Sequence, residues 1–372
     1  MKLVELFCGS GGFSLGAHRA GFDVAAAYDI DKILTSSYPI NFPDTALHHE
    51  DVTHLTGERI RAAVGDDVFG LFGGPPCQGF SAIGKRASDD PRRELLWHFF
   101  RIVSEVRPQF FIMENVQGLA FADARPVLDR ALELVNKDYD VLGPQVWNAA
   151  DFGAATSRNR VFVIGVLKEL KRPVTKEDVE RRKRKPTTVK QAMADLGSAV
   201  PLPDDADREG FDRWQIRRRG QPSDYAWELR SPDNIFTGHK ATAHTDKVVE
   251  RFKAVKPGTM EKIGRHPRLS WSGVCPTLRA GTGSDKGSFQ SVRPIHPEEP
   301  RVITVREAAR LQGFPDAHLF HPTIWHSFRM IGNSVSPIMA EAVFAAIHDR
   351  VVLNVPAPPS LESLASEPQF AE

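Results

Sequence analysis

Residues 73–81, with the sequence Gly-Gly-Pro-Pro-Cys-Gln-Gly-Phe-Ser, constrain this chain more than any other stretch. They follow the apolar run 68–72, which is typical of a short buried strand. Two glycines and two prolines in succession end any regular structure, so the chain must turn sharply here. The turn carries Cys77 at the carboxyl end of a strand, where open α/β sheets hold their ligands and reactive groups. A lone cysteine is more often a small buried residue, so the flanking motifs must separate a nucleophile from a packing residue.

The composition excludes several classes of protein. A chain of 372 residues with 41% hydrophobic and 26% charged residues is typical of a globular protein with one large or two medium domains. No apolar run approaches the roughly 20 residues of a membrane span, and the N-terminus begins with a strand pattern rather than a signal peptide. Its three cysteines, Cys8, Cys77 and Cys275, have neither a metal-binding spacing nor a disulfide framework. We therefore expect a protein of a reducing cytosol, without a metal.

A second junction of strand and turn lies near the N-terminus. A strand-like run ends at Phe7 and leads into the glycines Gly9, Gly11 and Gly12. Glycines let the backbone approach a ligand closely, and the following helix offers free N–H groups. The spacing is not that of a dinucleotide fingerprint, because the third glycine would stand at position 14, which is Ser14. By itself the turn fits a ligand loop and simple turn geometry equally well.

Acidic residues follow three further predicted strands. Asp29 lies about 20 positions after the glycine turn, where α/β nucleotide sites bind ribose hydroxyls. Asp51 follows the next strand and could reach a purine amino group. Glu114 ends the buried run 110–113, where a carboxylate is costly without a partner, and it would lie near the Cys77 turn. Solvated strand ends or a structural cap are the alternatives, but the ordered signals favour a ligand that contains adenosine.

Two arginines at i and i+2, Arg158 and Arg160, enter the strand-like run 161–166 and are expected to point to the same side of it. A solvated strand edge is the alternative interpretation of this pair.

These motifs, taken in order, resemble those of the cytosine-5 DNA methyltransferases. The matches are Phe-x-Gly-x-Gly-Gly at 7–12, Pro-Pro-Cys-Gln at 75–78, Glu-Asn-Val at 114–116, Arg-x-Arg at 158–160 and Gly-Asn-Ser-Val at 332–335. The resemblance covers about residues 1–167 and 295–350, and the ordered set is highly specific. It implies an α/β fold, with a doubly wound Rossmann-like methyltransferase sheet and a smaller inserted target recognition domain.

The resemblance implies a role for each catalytic residue. Cys77 would add as a thiolate to C6 of cytosine, C5 would take the methyl group of S-adenosylmethionine, and elimination of Cys77 would restore aromaticity. Glu114 would hydrogen-bond the N3/N4 edge of the base. Arg160 would hold the O2 side, with Arg158 as its companion. Because C5 is inaccessible inside a duplex, the base would be flipped out.

The resemblance also implies a site for S-adenosylmethionine, with S-adenosylhomocysteine as the product. Its residues would be Phe7, Gly9, Gly11, Gly12, Asp29, Ile30, Asp51, Val52, Pro75, Asn333, Ser334 and Val335. Ile30 stands where the family usually has an aromatic residue, so adenine stacking would be weaker or supplied elsewhere. Ala155 and Thr156 replace the family's Pro-Gln before the arginine pair, which puts in doubt any contact made through that glutamine.

Charge is divided unevenly along the chain. Residues 168–270 contain 24 Lys and Arg and 16 Asp and Glu, a net charge of +8, whereas the remainder has 24 and 31, a net charge of −7. A basic run is usually a solvated face, but segregation on this scale favours contact with nucleic-acid phosphates. We nominate the run 181–185 for phosphate contacts and the run 217–219 as a candidate for reading bases.

These patterns predict the domain organisation. A catalytic and cofactor-binding domain would comprise 1–167 and 296–355, a target recognition domain 168–295, and a disordered tail 356–372. The capping box of Thr304 and Glu307 predicts a scaffold helix of the catalytic domain. Ser336 and the proline after it predict the start of a helix that packs on the N-terminal strand's side of the sheet.

The predicted function is that of a DNA (cytosine-5-)-methyltransferase acting on a specific double-stranded DNA sequence. It would act either beside a cognate restriction endonuclease in a restriction-modification system or as an orphan methylase. We expect a monomer in the prokaryotic cytoplasm, associated with the nucleoid and not with a membrane. An RNA cytosine methyltransferase is the alternative, which the basic insertion disfavours. A non-catalytic relative would be expected to lack Cys77, Glu114 or Arg160, and none is missing.

Overall fold

The structure is a computed structural model that describes residues 1–76, 94–122, 124–203, 210–217, 222–280 and 292–355. Three predictions fall outside these ranges: the position of Cys77, the disordered tail 356–372, and the last two residues of the run 217–219.

A seven-stranded sheet with the order β3-β2-β1-β4-β5-β7-β6 forms the larger lobe. Its strands are β1 Lys2–Leu6, β2 Asp23–Tyr28, β3 Ala46–His48, β4 Gly70–Gly73, β5 Phe110–Val116, β6 Tyr139–Asn148 and β7 Asn159–Leu167. Strands β1 to β5 are parallel, and β7 runs antiparallel to both β5 and β6. The strand order reverses between β1 and β4, so a ligand crevice is expected outside the carboxyl ends of these two strands. The predicted doubly wound sheet is confirmed.

Helices cover both faces of this sheet. The helices that pack in the cores of the sheet are α1 Gly12–Arg19, α3 Gly57–Val64, α4 Glu94–Val106, α5 Arg125–Leu132, α6 Lys176–Glu180 and α12 Pro337–Ile347. The other helices of the described residues are α2 Tyr38–Asn41, α7 Val189–Met193, α8 Asp224–Leu229, α9 Asp246–Lys253, α10 Val305–Gln312 and α11 Ile324–Asn333. The period of two in β5 divides its side chains: Phe111 packs in the core with α3, α4 and α5, and Phe110 in the core with α1 and α12. As predicted, β5 is therefore buried on both faces.

Helix α12 packs against α1 on the side of the sheet that the sequence predicted. The ring of Phe344 meets those of Phe13 and Phe72 with centroids 5.4 and 5.0 Å apart. Ser336 precedes the helix as predicted, but its hydroxyl donates to Gln312 O at 2.8 Å instead of capping the helix. In the described part of the chain one stretch, Ile324–Val352, is apolar and long enough for a membrane span, and 72% of its apolar window is buried inside the protein.

The first residues of the predicted insertion, which begins at residue 168, pack against the larger lobe. Val174 and Val179 are buried in the same core as α1, α12 and β7. Arg350 also fastens this segment to the larger lobe by donating to Pro173 O at 3.0 and 3.1 Å. The core of the smaller lobe contains Ala155 from before this segment and then continues from Val189, in α7.

The segment 296–355, which the sequence assigns to the catalytic domain, contributes to the cores of both lobes. The capping box of Thr304 and Glu307 does start α10, and Gly313 ends it in a left-handed conformation with φ 99°. However, both α10 and α11 pack in the core of the smaller lobe with α7 and the short strand β10, Ile235–Phe236. That lobe also contains β8 Ala199–Pro201 and β9 Trp214–Ile216, which pair in the order β10-β9-β8.

Candidate active site

The end of β2 holds the glycine turn at the end of β1. Phe7 has φ 59°, and Gly9 and Gly11 have φ 51° and 79°, so the turn consists largely of left-handed backbone. Asp29 Oδ2 accepts a hydrogen bond from Gly9 N at 2.9 Å, and Oδ1 accepts one from Asp31 N at 2.8 Å. Burial raises the pKa of Asp29. The structure thus brings these predicted cofactor residues together at the crevice.

The turn after α11 covers the glycine turn from the other side. Ser334 Oγ lies 2.8 Å from Ser10 Oγ, a contact that the sequence analysis did not foresee although Ser10 is inside the motif. A Cβ at Gly12 would be 2.6 Å from Val335 O, so only glycine permits this approach. Of the predicted residues here, Ser334 and Val335 are buried and Asn333 is exposed.

The residues predicted for the adenine end lie in three different environments. Ile30 is 66% exposed and offers a free apolar side chain beside Asp29. Asp51 accepts hydrogen bonds from Thr53 N at 2.9 Å and from its hydroxyl at 2.8 Å, and these bonds lower the pKa of Asp51. Val52 is buried, and its carbonyl accepts a bond from Arg101 of α4 at 3.1 Å. Arg101 was missed because no local pattern marks a contact across 49 residues.

Glu114 and Arg160 form a nearly buried ion pair. In the antiparallel register Arg160 lies opposite Val116, which places its side chain diagonally beside Glu114. Arg160 Nε is 2.8 Å from Glu114 Oε1, with side-chain exposures of 12% and 9%. The contact is an ion pair, and Oε1 has no further hydrogen-bond partner among the described residues. Burial raises the pKa of Glu114, although the charges of Arg160 and Arg158 oppose the shift. The predicted need for a partner at this strand end is confirmed.

The turn after β4 is fastened to the same end of β5. Asn115 Nδ2 donates to Pro75 O at 3.0 Å. A Cβ at Gly74 would lie 2.9 Å from Glu114 Oε2, so the backbone passes directly beside the carboxylate. The described part of this turn ends one residue before Cys77. Cys8 and Cys275 are buried, and burial raises the pKa of both thiols far above neutrality. Neither is suited to act as a thiolate nucleophile.

Arg158 is fully buried, so the alternative of a solvated strand edge is wrong for it. Its Nη1 donates to Leu278 O at 3.1 Å and its Nη2 to Gly332 O at 2.7 Å. The guanidinium therefore lies behind Arg160, between main-chain segments, rather than at a surface.

The basic run 181–185 is partly paired with acidic side chains. Arg181 and Arg182 both pair with Asp349, at 2.8 and 2.7 Å, and Lys183 pairs with Glu180 at 2.9 Å. These partners reduce the charge that Arg181, Arg182 and Lys183 can offer to a phosphate, whereas Arg184 and Lys185 are exposed. The nomination of this run for phosphate contacts stays a prediction.

A different cationic surface lies in the smaller lobe. A cleft of about 960 Å³ runs between α7, α8 and the strand pair β8–β9, and its cations are Lys190, Arg217 and Arg230. Arg230 pairs with Asp195 at 2.9 Å, whereas Lys190 and Arg217 are exposed. Arg217 is the described member of the second predicted run.

Comparisons with known proteins agree with this architecture. The family model described as C-5 cytosine-specific DNA methylase matches residues 1–349. The chain is 43% identical over 359 residues to the Type II methyltransferase M.XorII of Xanthomonas oryzae pv. oryzae, covering 91% of this chain and 82% of that protein. It is 30% identical over 381 residues to the Type II methyltransferase M.DdeI of Desulfomicrobium norvegicum, covering 92% and 87%.

Solved structures give the same result. A prophage-encoded Escherichia coli protein described as a DNA modification methyltransferase superposes with a TM-score of 0.80 at 40% identity, covering 95% of this chain and 99% of that one. The Dnmt2 methyltransferase of S. pombe superposes with a TM-score of 0.62 at 18% identity, covering 94% and 98%, which shows the shared fold.

Proposed function

We propose, because this chain belongs to the C-5 cytosine-specific DNA methylase family, that it methylates C5 of a flipped-out cytosine within a specific double-stranded DNA sequence. The observation that carries this proposal is the buried pair of Glu114 and Arg160 beside the turn that leads to Cys77. A carboxyl group, a guanidinium group and the turn that leads to the Cys77 thiol therefore lie at one edge of the sheet.

The chemistry begins at Cys77, whose thiolate would form a bond to C6 of the cytosine while the ring's electron pair moves toward C5. Glu114 is suited to give a proton to N3 during this attack, since burial raises its pKa and favours the protonated carboxyl. Arg160, held beside Glu114, would donate to O2 and keep the ring in the plane of both side chains. C5 would then take the methyl group of S-adenosylmethionine, whose methyl–sulfur bond breaks to leave S-adenosylhomocysteine. Loss of the C5 proton to a base, release of the Cys77 sulfur and return of the N3 proton to Glu114 would restore the aromatic ring.

The crevice beside β1 fits S-adenosylmethionine. Left-handed glycines leave the turn without side chains at the point of closest approach, and Gly12 has no room for a Cβ. The Asp29 carboxylate would accept the ribose hydroxyls, with exposed Ile30 against the adenine. Ser334 and Val335 close the opposite side and would hold the amino-acid end. When bound, S-adenosylmethionine supplies an electrophilic methyl group to C5.

The smaller lobe would bind the DNA. Exposed Lys190 and Arg217 in its cleft offer positive charge for phosphates, and among the described residues neither forms an ion pair such as that of Arg181 with Asp349. The Type II relatives support pairing with a restriction endonuclease that cuts the same sequence. We infer a cytoplasmic enzyme that works as a monomer on the bacterial chromosome.

Methylation mapping tests this function directly. DNA from cells expressing the protein should, on bisulfite sequencing, show 5-methylcytosine at one recurring sequence, and the Cys77→Ala variant should show none. A duplex with 5-fluorocytosine at that position should form a covalent complex with the wild type only, since fluorine does not leave as a proton does. Full methylation by Cys77→Ala would overturn the assignment of the nucleophile, and methylation of RNA alone would overturn the substrate.

A further inference from the structure

Three segments that are distant in sequence meet at the Arg158 guanidinium. One nitrogen donates to Leu278 O in the smaller lobe, and another donates to Gly332 O at the end of α11. The two acceptor segments also touch each other, because a Cβ at Gly332 would lie 2.2 Å from Ala280 N. Only a glycine allows backbone to contact backbone this closely, so the junction is tightly constrained.

One side of this junction faces the proposed base site. Arg158 is two residues before Arg160 and directly precedes β7, the strand that carries Arg160. The Arg158 charge lowers the pKa of Glu114, and Glu114 is itself held 2.8 Å from Arg160 by the pairing of β5 with β7, so Arg158 stands next to that pair in both sequence and charge. A shift of the Arg158 side chain would therefore change both members of the pair that would contact the cytosine.

The other side of the junction continues to the proposed cofactor site. Gly332 begins the turn whose Ser334 hydroxyl lies 2.8 Å from the Ser10 hydroxyl in the glycine turn. Within the same region, His318 Nε2 lies 3.1 Å from Ser10 O. Thus Arg158 is connected to the glycine turn through one short stretch of main chain.

The side chain is not explained by stability alone. It is fully buried, and its Nε is without a hydrogen-bond partner among the described residues. A buried donor without a partner lowers stability, and an apolar side chain of similar volume would avoid this cost. The planar fork, in contrast, lets one side chain bond two carbonyls at once, which a lysine cannot reproduce.

We propose that Arg158 is a positioning residue that couples the base site to the cofactor site, through its simultaneous bonds to Leu278 and Gly332. The proposal rests on the proposed function, since it takes the two sites as assigned above. With S-adenosylhomocysteine bound, the 332–335 turn would be fixed, Arg158 would be held by it, and the pair of Glu114 and Arg160 would be set for the flipped base.

The test measures the coupling between two ligands. The affinity for S-adenosylhomocysteine is determined by calorimetry with and without a duplex that carries the mapped methylation site. The ratio of the two affinities is the coupling factor, and by linkage the same factor describes the effect on DNA binding. We expect a factor of about fivefold or more for the wild type, and a factor near one for Arg158→Lys.

Arg350→Lys is the matched control. Arg350 is also a buried arginine that donates to main-chain carbonyls, those of Pro173 and Val355, but it lies at the far end of α12. This variant should lose stability and keep the wild-type coupling factor. If Arg158→Lys and Arg350→Lys behave alike, Arg158 is structural and the proposal is wrong.

A second variant covers failure of Arg158→Lys to fold. Ser10→Ala removes the bond to Ser334 at the other end of the connection and should also lower the coupling factor. An unchanged factor in Ser10→Ala would then overturn the proposal. The outcomes are distinct from those for the proposed function, because covalent trapping by wild-type protein does not depend on the coupling factor.

Discussion

Asp29 Oδ2 accepts a hydrogen bond from Gly9 N at 2.9 Å, so the carboxylate at the end of one strand fixes the glycine turn at the end of its neighbour. This bond gives Asp29 two roles: its carboxylate fixes the shape of the glycine turn, and it also lies at the crevice that the turn lines.

We expect Asp29→Ala to weaken S-adenosylmethionine binding by about 1–3 kcal/mol, the range for loss of a hydrogen bond to a charged group. Asp29→Asn should have an intermediate effect, since its single carbonyl oxygen cannot accept from Gly9 N and Asp31 N as the two carboxylate oxygens do. Titration calorimetry measures both variants. DNA affinity without cofactor should stay near that of the wild type, and unaltered cofactor affinity would show that Asp29 does not bind the ribose.

Glu114 should set the alkaline side of the pH profile. Burial raises its pKa, so the protonated carboxyl persists above the ordinary range for glutamate and is lost as the pH rises through the raised value. If that proton goes to N3, kcat/KM for DNA falls over this interval. Glu114→Gln should lower kcat/KM by about 10²–10⁴-fold and lose the alkaline fall, because an amide does not titrate there. The same alkaline fall in both proteins would assign it to another group.

Glu5 should make stability depend on pH. It is fully buried in β1, accepts hydrogen bonds from the hydroxyls of Ser14 and Tyr38, and desolvation raises its pKa to about 8. Because the folded protein holds the Glu5 proton more tightly than the unfolded chain, protonated Glu5 contributes fully to stability below pH 4.5, the pKa in the unfolded chain. This contribution is lost as the pH rises from 4.5 to about 8, the pKa in the folded protein. The loss is up to about 1.4 kcal/mol for each pH unit in that interval.

Urea denaturation over this pH interval tests the role of Glu5. Glu5→Gln keeps an acceptor for Ser14 and does not ionise, so its stability relative to the wild type should increase as the pH rises. The exposed Glu133→Gln controls for the loss of a carboxylate and should show no such trend. Parallel curves for wild type and Glu5→Gln would indicate that Glu5 is already ionised in the folded protein at low pH.

The two basic surfaces should differ in their contribution to DNA binding. Replacement of both Lys190 and Arg217 by glutamine should flatten the dependence of log Kd on log salt by about 0.9 for each lost phosphate contact. Replacement of both Arg181 and Arg182 should leave the slope unchanged, because Asp349 already neutralises them. Fluorescence anisotropy with a labelled duplex at several salt concentrations compares the two double variants. If the slope becomes flatter only when Arg181 and Arg182 are replaced, the phosphate contacts are made by the run 181–185 and not by the cleft.

Much of the site could be predicted because its residues lie at the ends of strands. The carboxyl ends of parallel strands meet at one edge of a sheet, so the glycine turn after β1, Asp29 after β2 and Glu114 in β5 could be expected to lie together. Arg160 joins them only because β7 runs antiparallel to β5, a direction that no local pattern predicts. The partners of Arg158 could not be predicted in this way, since Leu278 and Gly332 are 120 and 174 residues away.

The features that the sequence left open have a common physical cause. A run of charges such as 181–185 gives no sign of a partner 168 residues later, which decides whether the run is free or neutralised. Similarly, the capping box of Thr304 predicts where α10 begins but not which core buries it. Local patterns determine the bounds of an element, whereas its neighbours depend on packing over the whole chain.

The contact between Ser10 and Ser334 also has a consequence for synthesis on the ribosome. The two sides of one ligand crevice are separated by 324 residues, so the first half of the nascent chain can form β1 and its turn but not an enclosed site. Contacts of such long sequence separation form late and slow the folding of a chain. A newly made molecule would therefore have an open crevice beside β1 until almost all of the protein had been translated.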